Sequence, residues 1–293
     1  MRRHAFALLA VCGFCAAAAF AQAPQPGGSL LRRFPRPGGA VPAQTAPTVA
    51  ARHAFTTRAG GVSTGFLASL DLGENRGDDP ERVRENYRRL GEATGIDTAR
   101  IVFPRQEHGS VVRTVTAADV HTLFTPVPYE ADGLVTDVPG LTLIVFTADC
   151  VPVLLCDETA GVIASVHCGW RSSVADILGA AVGAMRALGA EPARIGAAIG
   201  PAISQCCFEV GPEVVEAAAR YLGEPLGGLV RDGAPGKYLL DLKGANARRL
   251  VQLGLREDRI AVSPACTRCL HETYWSHRWT NGRRGSQGAI ISL

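Results

Sequence analysis

The chain has 293 residues, of which 47% are hydrophobic and 19% are charged, a composition typical of globular proteins with ample apolar material for a core. Its 30 Lys and Arg residues nearly balance its 27 Asp and Glu residues, so the net charge is only +3. No basic run alternates with aromatic residues, and we therefore expect no nucleic acid as a partner.

The first 23 residues have the pattern of a secretory signal peptide. Basic residues open the segment, an apolar run covers residues 5–20, and Ala19, Ala21 and Ala23 have the spacing of a cleavage site. The run is too short and too rich in alanine for a comfortable membrane span, so we expect no membrane partner. Residues 24–50 are rich in Pro, Gly and Ala and are predicted to be a linker outside the packed core.

Residues 51–293 are predicted to form a single domain in which strands and helices alternate irregularly. Amphipathic spacing predicts helices at 80–95, 174–188, 212–221 and 242–253. Short runs of β-branched and aliphatic residues predict strands at 141–146, 151–155, 162–166, 195–199, 238–240, 260–262 and 289–292. We expect Asp79 to cap the first helix, Ser172 or Ser173 the second, and Asp241 the fourth. Neighbouring strands without an intervening helix, near Cys150, favour mixed sheets.

Three side chains that bind metals lie at or near the ends of apolar runs. Cys150 separates two of the predicted strands, His167 follows a third, and His108 precedes another apolar run. Two imidazoles and one thiolate suit zinc, and three protein ligands leave a fourth position for water or substrate. If they share an ion, their ligating atoms should lie within about 4 Å of one another. Asp149 must point away from this group if the strand continues, so we expect it to be a structural hydrogen-bonding residue.

The other histidines and cysteines have weaker metal-site patterns. His277 could line a pocket, whereas His53, His121 and His271 have no partner at metal-site spacing. Of the nine cysteines, seven lie beyond the leader, an odd number that does not suggest a disulfide framework. A second zinc site from Cys206, Cys207, Cys266 and Cys269 is conceivable, but adjacent cysteines do not easily bind one ion, and we do not predict it.

Several motifs carry a family resemblance. They are R-Q-x-H-G from 105, T-A-D-C-x-P-V-L-L from 147, H-x-G-W-R from 167, A-I-G-P-x-I-x-x-C-C-F-E-V-G from 198, and C-T-x-C with Y-W-S-H-R from 266. From near His53 to Leu293 the chain resembles the family long labelled polyphenol oxidase, laccase domain. Its members are described as zinc-dependent purine nucleoside phosphorylases with adenosine deaminase activity, and some bacterial members are named peptidoglycan editing factor.

The resemblance implies an α+β fold, a layered α/β/β/α sandwich with mixed sheets. It implies that His108, Cys150 and His167 are the zinc ligands and the catalytic group. It also implies phosphorolysis of adenosine, inosine and methylthioadenosine to the free base and ribose 1-phosphate, with purine nucleosides and phosphate as partners. The oligomeric state is not predicted.

A phosphorolytic enzyme must hold phosphate, and a guanidinium fork matches its oxygens. We therefore consider Arg58 and Arg171 as phosphate ligands, Arg171 because it precedes a predicted helix start. Trp279 and Ser286 stand where arginines are common in the family. A purine base needs a planar surface for stacking, and Phe55, Trp170 and Phe208 are the candidates.

Two other functions use the same atoms. Cys150 and His167 could form a thiolate–imidazolium pair that hydrolyses an amide in peptidoglycan precursors, as one family name implies. Alternatively, the protein could hold zinc without catalysis.

Copper oxidase chemistry is not expected, because the chain has no H-x-H pair and offers only Met185 as a weak axial ligand beyond Met1.

The location of the protein in the cell has two interpretations. The resemblance, and a zinc thiolate that is better kept in a reducing compartment, indicate the cytoplasm. The leader indicates export, unless the start site lies further downstream than Met1. The sequence leaves both open.

Overall fold

Two six-stranded sheets and one smaller sheet are present in the computed structural model, which describes residues 32–33, 41–223 and 225–293. The predicted leader, residues 1–23, lies outside the described residues, as does most of the predicted linker up to residue 40. The strands are β1 (Arg32–Arg33), β2 (Ala43–Thr45), β3 (Arg52–Thr56), β4 (Ile101–Val102), β5 (Val112–Thr114), β6 (Gly133–Thr136), β7 (Thr142–Thr147), β8 (Val151–Asp157), β9 (Val162–Cys168), β10 (Gly196–Ile199), β11 (Glu209–Val210), β12 (Val230–Asp232), β13 (Tyr238–Leu240), β14 (Ile260–Val262) and β15 (Gln287–Ser292). The α-helices are α1 (Pro80–Thr94), α2 (Trp170–Val174), α3 (Ile177–Ala187), α4 (Pro212–Leu222), α5 (Leu242–Gln252) and α6 (His277–Thr280).

Both large sheets are mixed, as predicted. The first has the order β1-β2-β3-β15-β7-β4 and is antiparallel except for the β4–β7 pair. The second has the order β14-β10-β8-β9-β6-β5, with parallel pairs at its two edges. The small third sheet, β11-β13-β12, is antiparallel.

Alternating side chains on the strands define four layers, because successive residues of a strand point to opposite faces of its sheet. In β7, Leu143 and Val145 face the core between the two sheets, whereas Ile144 packs with α1. In β8, Leu154 faces the same middle core, whereas Val153 packs with α3, α4 and α5. The arrangement is therefore the α/β/β/α sandwich that the resemblance implied.

Two of the three predicted helix caps are confirmed. Asp79 accepts from the Glu81 backbone N–H at 2.9 Å, and Asp241 accepts from the Gly244 backbone N–H at 3.0 Å. Gly189 follows the end of α3 with a φ of 92°, the left-handed conformation that suits glycine. The prediction of a serine cap was wrong: the helix is divided in two, and Asp176 caps α3 with a bond from the Gly179 backbone N–H at 3.1 Å.

Residues 41–50 correct the predicted boundary of the domain. The prediction that residues 1–50 add nothing to the core is wrong for this segment, since Val41, Ala43, Ala46 and Val49 are at most 4% exposed. The strand β2 pairs antiparallel with β3, which supplies the backbone partners that a linker would lack. Four small apolar residues among prolines and polar residues gave no periodic pattern, so only the pairing reveals the strand.

Among the described residues, every helix is too short or too polar to span a bilayer.

Candidate metal centre and substrate cavity

The pairing of β8 with β9 brings Cys150 and His167 together. Cys150 directly precedes β8, and the antiparallel register places Pro152 of β8 opposite His167 of β9. The start of one strand therefore lies beside the end of the next, as the positions of these residues at strand ends predicted. The imidazole of His167 is buried, at 2% exposure, while Cys150 is partly exposed.

His108 reaches the same point from the loop between β4 and β5. The side chain of Gln106 fixes this loop to β7, because its amide donates to the Phe146 carbonyl at 2.9 Å and its oxygen accepts from the Phe146 N–H at 2.7 Å. His108 itself has a φ of 59°, an uncommon conformation for a residue other than glycine, and its Nε2 lies 3.8 Å from Cys150 Sγ. One ligating atom each from His108, Cys150 and His167 lies within 4.8 Å of the others, close enough for the three to share one ion.

A carboxylate that the sequence analysis missed orients this group. Asp132 Oδ1 accepts from His167 Nδ1 at 2.7 Å, so the other ring nitrogen of His167 is free to act as a ligand. The same carboxylate accepts the backbone N–H groups of Glu107, His108 and Gly109 at 3.1, 3.0 and 2.7 Å. A histidine held by a carboxylate in this way is the usual outer shell of a metal ligand. The position of Asp132 just before an apolar run was the only sequence signal.

The electrostatics of the three residues are coupled. Burial opposes ionisation of the Cys150 thiol, but the charge of His167 and hydrogen bonds from both imidazoles outweigh it and lower the pKa of Cys150 to about 6. Burial likewise opposes the charged form of His167, but Cys150 and the Asp132 carboxylate outweigh it and raise the pKa of His167 to about 9. The geometry therefore favours a thiolate at Cys150, the form in which cysteine binds a metal.

Gly169 allows this close approach. A Cβ atom at this position would lie 3.1 Å from the His108 ring and 3.5 Å from Cys150 Sγ. The residue also precedes α2, so the loop after β9 must turn within van der Waals contact of the candidate ligands. A side chain here would press on His108, which explains the glycine of the H-x-G-W-R motif in steric terms.

The three residues lie on a cavity of about 660 Å³, within the range of about 300–1,000 Å³ typical of small-molecule sites. Three aromatic residues line it, Phe103, Phe146 and Phe208, together with His277. Of the predicted stacking candidates, only Phe208 lies on this cavity. Phe55 is part of the middle core, and Trp170 packs against the outer core of the second sheet.

An arginine pair lies on the same cavity. Arg76 Nε and Arg284 Nη1 both donate to the Ser286 hydroxyl, each at 3.1 Å. Burial, and then the nearby charge of Arg76, lower the pKa of Arg284 to about 10, and its buried Nε has no hydrogen-bond partner among the described residues. Two guanidinium groups held side by side with an unused donor favour an anion between them. Ser286 is thus the residue that joins the pair.

Arg58 and Arg171 lie elsewhere and are not among the residues that line the cavity. The Arg58 guanidinium donates to the carbonyls of Ala68 and His271 at 2.8–3.1 Å and lies 4.0 Å from the centre of the Trp275 ring. Arg171 is exposed and stacks on Trp170. These contacts are structural, and phosphate binding by either residue stays a prediction from the sequence alone.

Asp149 has the hydrogen-bonding role that was predicted. Its carboxylate accepts from the hydroxyls of Thr267 at 2.6 Å and Ser276 at 3.1 Å, and from the Arg278 backbone N–H at 2.6 Å. These bonds connect the residue before Cys150 to the chain segment that carries His277. The C-terminal part of the cavity wall is therefore held directly against the candidate metal centre.

The fold and the site together define an α+β protein with a His₂Cys group on the wall of a substrate-sized cavity. The chain belongs to the family described as multi-copper polyphenol oxidoreductase laccase, whose pattern it matches over residues 52–293.

Relatives in this family are named as purine enzymes. The chain is 41% identical over 253 residues to a purine nucleoside phosphorylase of Deinococcus radiodurans, a match that covers 86% of this chain and 93% of that protein. It is 38% identical over 238 residues to adenosine deaminase RL5 from an unknown prokaryotic organism, covering 80% of this chain and 90% of that protein. Among solved structures, YlmD from Geobacillus stearothermophilus superposes with a TM-score of 0.82 at 35% identity, covering 88% of this chain and 98% of that one.

The copper in the family description has a weak basis in this chain. A blue-copper site adds a weak axial ligand such as methionine to two histidines and a cysteine. Met185 belongs to α3, is fully buried in the core between the helices and the second sheet, and does not line the cavity. The group of metal donors that the described residues place on this cavity is therefore His108, Cys150 and His167, without an axial methionine.

Proposed function

We propose that this protein is a zinc-dependent purine nucleoside phosphorylase that also deaminates adenosine. The observation that carries the proposal is that His108, Cys150 and His167 converge on the same cavity that holds the Arg76–Arg284 pair. One part of the cavity thus suits a metal and the other suits an anion. The names of the relatives support purine nucleosides as the third component.

The donor set fits zinc. Two imidazole nitrogens and one thiolate match a catalytic zinc site, in which one position stays open for water or substrate. Zinc held there would supply a Lewis acid and would lower the pKa of a bound water to about 7. Asp132 keeps His167 in the required tautomer, and Gly169 leaves room for His108 beside Cys150.

The arginine pair would hold the phosphate. The guanidinium groups of Arg76 and Arg284 can each present two N–H donors to phosphate oxygens. In the proposed reaction a phosphate oxygen forms a bond to C1′ of the ribose while the bond from C1′ to the purine nitrogen breaks. The electron pair of that bond leaves with the purine, which takes up a proton.

Aromatic side chains would bind the base. Phe103, Phe146 and Phe208 provide flat apolar surfaces on the cavity, and His277 adds a hydrogen-bonding group for a purine edge. Deamination uses the same base pocket: water adds at C6 of adenosine, ammonia leaves, and inosine is formed.

Product analysis tests this proposal. Purified protein is incubated with adenosine, inosine or methylthioadenosine, with and without phosphate, and the bases, nucleosides and ribose 1-phosphate are separated. We expect free base only when phosphate is present, together with ribose 1-phosphate from adenosine or inosine and 5-methylthioribose 1-phosphate from methylthioadenosine. Without phosphate we expect inosine from adenosine. Failure to convert any purine nucleoside under either condition would refute the proposed activity.

One alternative uses the same geometry. Asp132, His167 and Cys150 form a continuous array in which a carboxylate orients an imidazole toward a thiol, the arrangement of a cysteine hydrolase. Such an enzyme would hydrolyse an amide in a peptidoglycan precursor. Alkylation of the thiol would then abolish activity while a chelator would leave it intact, whereas the zinc enzyme should be inactivated by the chelator.

A further inference from the structure

A second group of thiols lies away from the candidate metal centre. Cys206 and Cys207 follow β10, and Cys266 and Cys269 lie between β14 and α6. The fold nevertheless brings the four sulfur atoms within 4.8 Å of one another. The expectation that these residues would not form a metal site rested on the adjacency of Cys206 and Cys207. In the structure both adjacent sulfurs turn to the same side.

Backbone pairing brings the two segments together just before the cysteines. Ala202 forms a parallel bridge with Cys266, and the Thr267 N–H donates to the Ala202 carbonyl at 3.1 Å. The chain after Cys266 then turns, with the Leu270 N–H donating to the Cys266 carbonyl at 2.9 Å, which places Cys269 back over the group. The spacing of Cys266 and Cys269 is the C-x-x-C spacing common in structural zinc sites.

The sulfur separations are those of ligands around one ion. Zinc–sulfur bonds of about 2.3 Å in a tetrahedron place neighbouring sulfurs about 3.8 Å apart. The Sγ atoms of Cys206 and Cys207 are 3.6 Å apart, those of Cys206 and Cys269 are 3.7 Å apart, and those of Cys207 and Cys269 are 3.3 Å apart. All four residues are free thiols, since a disulfide requires about 2.05 Å between the sulfurs.

The surroundings stabilise negative charge on these sulfurs. The backbone N–H of Ser204 donates to Cys266 Sγ at 3.4 Å, and the Arg268 guanidinium donates to Cys207 Sγ at 3.5 Å. The buried ammonium of Lys243 is held nearby by the carbonyls of Ser263 and Ala265, at 2.7 and 3.1 Å. Two cations and a backbone donor partly offset the charge that four thiolates would bring.

We propose that Cys206, Cys207, Cys266 and Cys269 bind a second zinc ion in a closed tetrathiolate site. With four protein ligands the site has no position for substrate, so its role is structural. It is separate from the group formed by His108, Cys150 and His167 and does not depend on the proposed reaction.

The site would hold two parts of the cavity wall together. Phe208, which lines the cavity, directly follows Cys207, and the Cys207 carbonyl accepts from Arg278 Nη1 at 3.4 Å. On the other segment, Thr267 lies next to Cys266 and donates to Asp149, the neighbour of Cys150. Zinc in this site would therefore fix the aromatic wall and the C-terminal segment relative to the candidate metal centre.

Metal counting on the full chain tests the proposal. The wild-type protein is purified with reductant, equilibrated with zinc, desalted and measured by elemental analysis. We expect two zinc ions per chain in the wild type, and one each in Cys269→Ser and in Cys150→Ala. The matched control is Cys156→Ala, which removes a thiol outside both groups and should keep two. Cobalt in place of zinc should show strong sulfur-to-metal charge transfer in Cys150→Ala, where only the tetrathiolate site remains.

Several results would overturn the proposal. One is a single zinc ion in the wild type that Cys150→Ala removes and Cys269→Ser does not. Another is a disulfide within the group, detected under reducing purification by the mass of the intact chain and by a thiol count in denaturant. If Cys269→Ser folds poorly, the test uses the wild type alone. Zinc titration of the metal-stripped wild type must then show two bound zinc ions per chain, and a single bound ion would overturn the proposal. Absence of the zinc that depends on Cys150 would count against the proposed function and not against the tetrathiolate site. The failures of the two proposals are therefore distinguishable.

Discussion

Replacing Asp132 by asparagine should weaken zinc binding even though the residue is not a ligand. Asp132 Oδ1 accepts from His167 Nδ1 and the His108 N–H, and Oδ2 accepts from the N–H groups of Glu107 and Gly109. An asparagine has one oxygen, so its amide nitrogen must face donors on one side. Either the imidazole of His167 loses its acceptor, or the loop that carries His108 does.

The magnitude follows from these contacts. Loss of the carboxylate behind a metal-binding histidine typically reduces metal affinity about 10–100-fold, which corresponds to about 1.4–2.8 kcal/mol. Independently, a fully buried donor left without an acceptor destabilises the fold by about 1–3 kcal/mol. The loop N–H groups are only part-buried and can be rehydrated. We therefore expect the metal-free Asp132→Asn protein to be destabilised by about 1–3 kcal/mol.

The assay is competition with a chelator of known zinc affinity, combined with chemical unfolding of the metal-free protein. Asp157→Asn is the matched control. Asp157 is also buried and accepts the N–H groups of Thr159, Ala160 and Glu191 at 2.9–3.2 Å, but it lies outside the cavity. We expect it to lower stability and leave zinc affinity unchanged. Zinc affinity of Asp132→Asn within about twofold of the wild type would show that the carboxylate does not orient the ligand.

Four further changes probe other parts of the account. Arg284→Lys keeps the charge but loses the fork, and should raise the KM for phosphate by about 10-fold or more, whereas Arg171→Lys should leave it unchanged in the same phosphorolysis assay. Deleting residues 1–48 removes the strand β2 and buried apolar side chains, and should cost about 3 kcal/mol, or about 6–12 °C in Tm by calorimetry; an unchanged Tm would mean that this strand adds no stability. Burial raises the pKa of the Asp71 carboxyl in the folded protein to about 6, above its value in the unfolded chain, so the folded state binds the proton more tightly. About 3 kcal/mol of stability should therefore be lost as pH rises from about 4 to 6. Asp71→Asn keeps the bonds to Oδ1 and should flatten that part of the stability–pH curve; an unaltered slope would assign the dependence to another group. Gly169→Ala should push His108 from Cys150 and lower zinc occupancy while the protein remains folded, as measured by elemental analysis and circular dichroism.

The elements that sequence reasoning found are those with a local signal. Buried strands such as β8 and β9 are short aliphatic runs, and the helix α5 follows an aspartate cap, so neighbours in the chain were enough to predict them. The candidate metal ligands could be singled out because thiol and imidazole groups are chemically distinctive and lie at strand ends. The four-layer order came from the resemblance. It depends on which sheet packs against which, and the periodicity of a single chain segment does not predict that packing.

The missed features depend on contacts between distant segments. Asp132 acquires its role from a loop that lies 23–25 residues earlier in the chain, and Ser286 joins Arg284 to Arg76 across 210 residues. The four-thiol group was set aside on a local argument about adjacent cysteines, although the relevant geometry comes from two loops about 60 residues apart in sequence. Arg58 and Arg171 were chosen for chemistry alone, and their backbone and aromatic contacts could not be read from the sequence.

In the proposed function, zinc at His108, Cys150 and His167 is required for phosphorolysis. The most direct measurement is adenosine phosphorolysis by metal-stripped protein during titration with zinc, with Cys150→Ala in parallel. We expect no activity in the stripped protein, recovery in proportion to the zinc that depends on Cys150, and no recovery in the variant at any zinc level. A stripped protein that releases adenine and ribose 1-phosphate at the full rate would contradict the account.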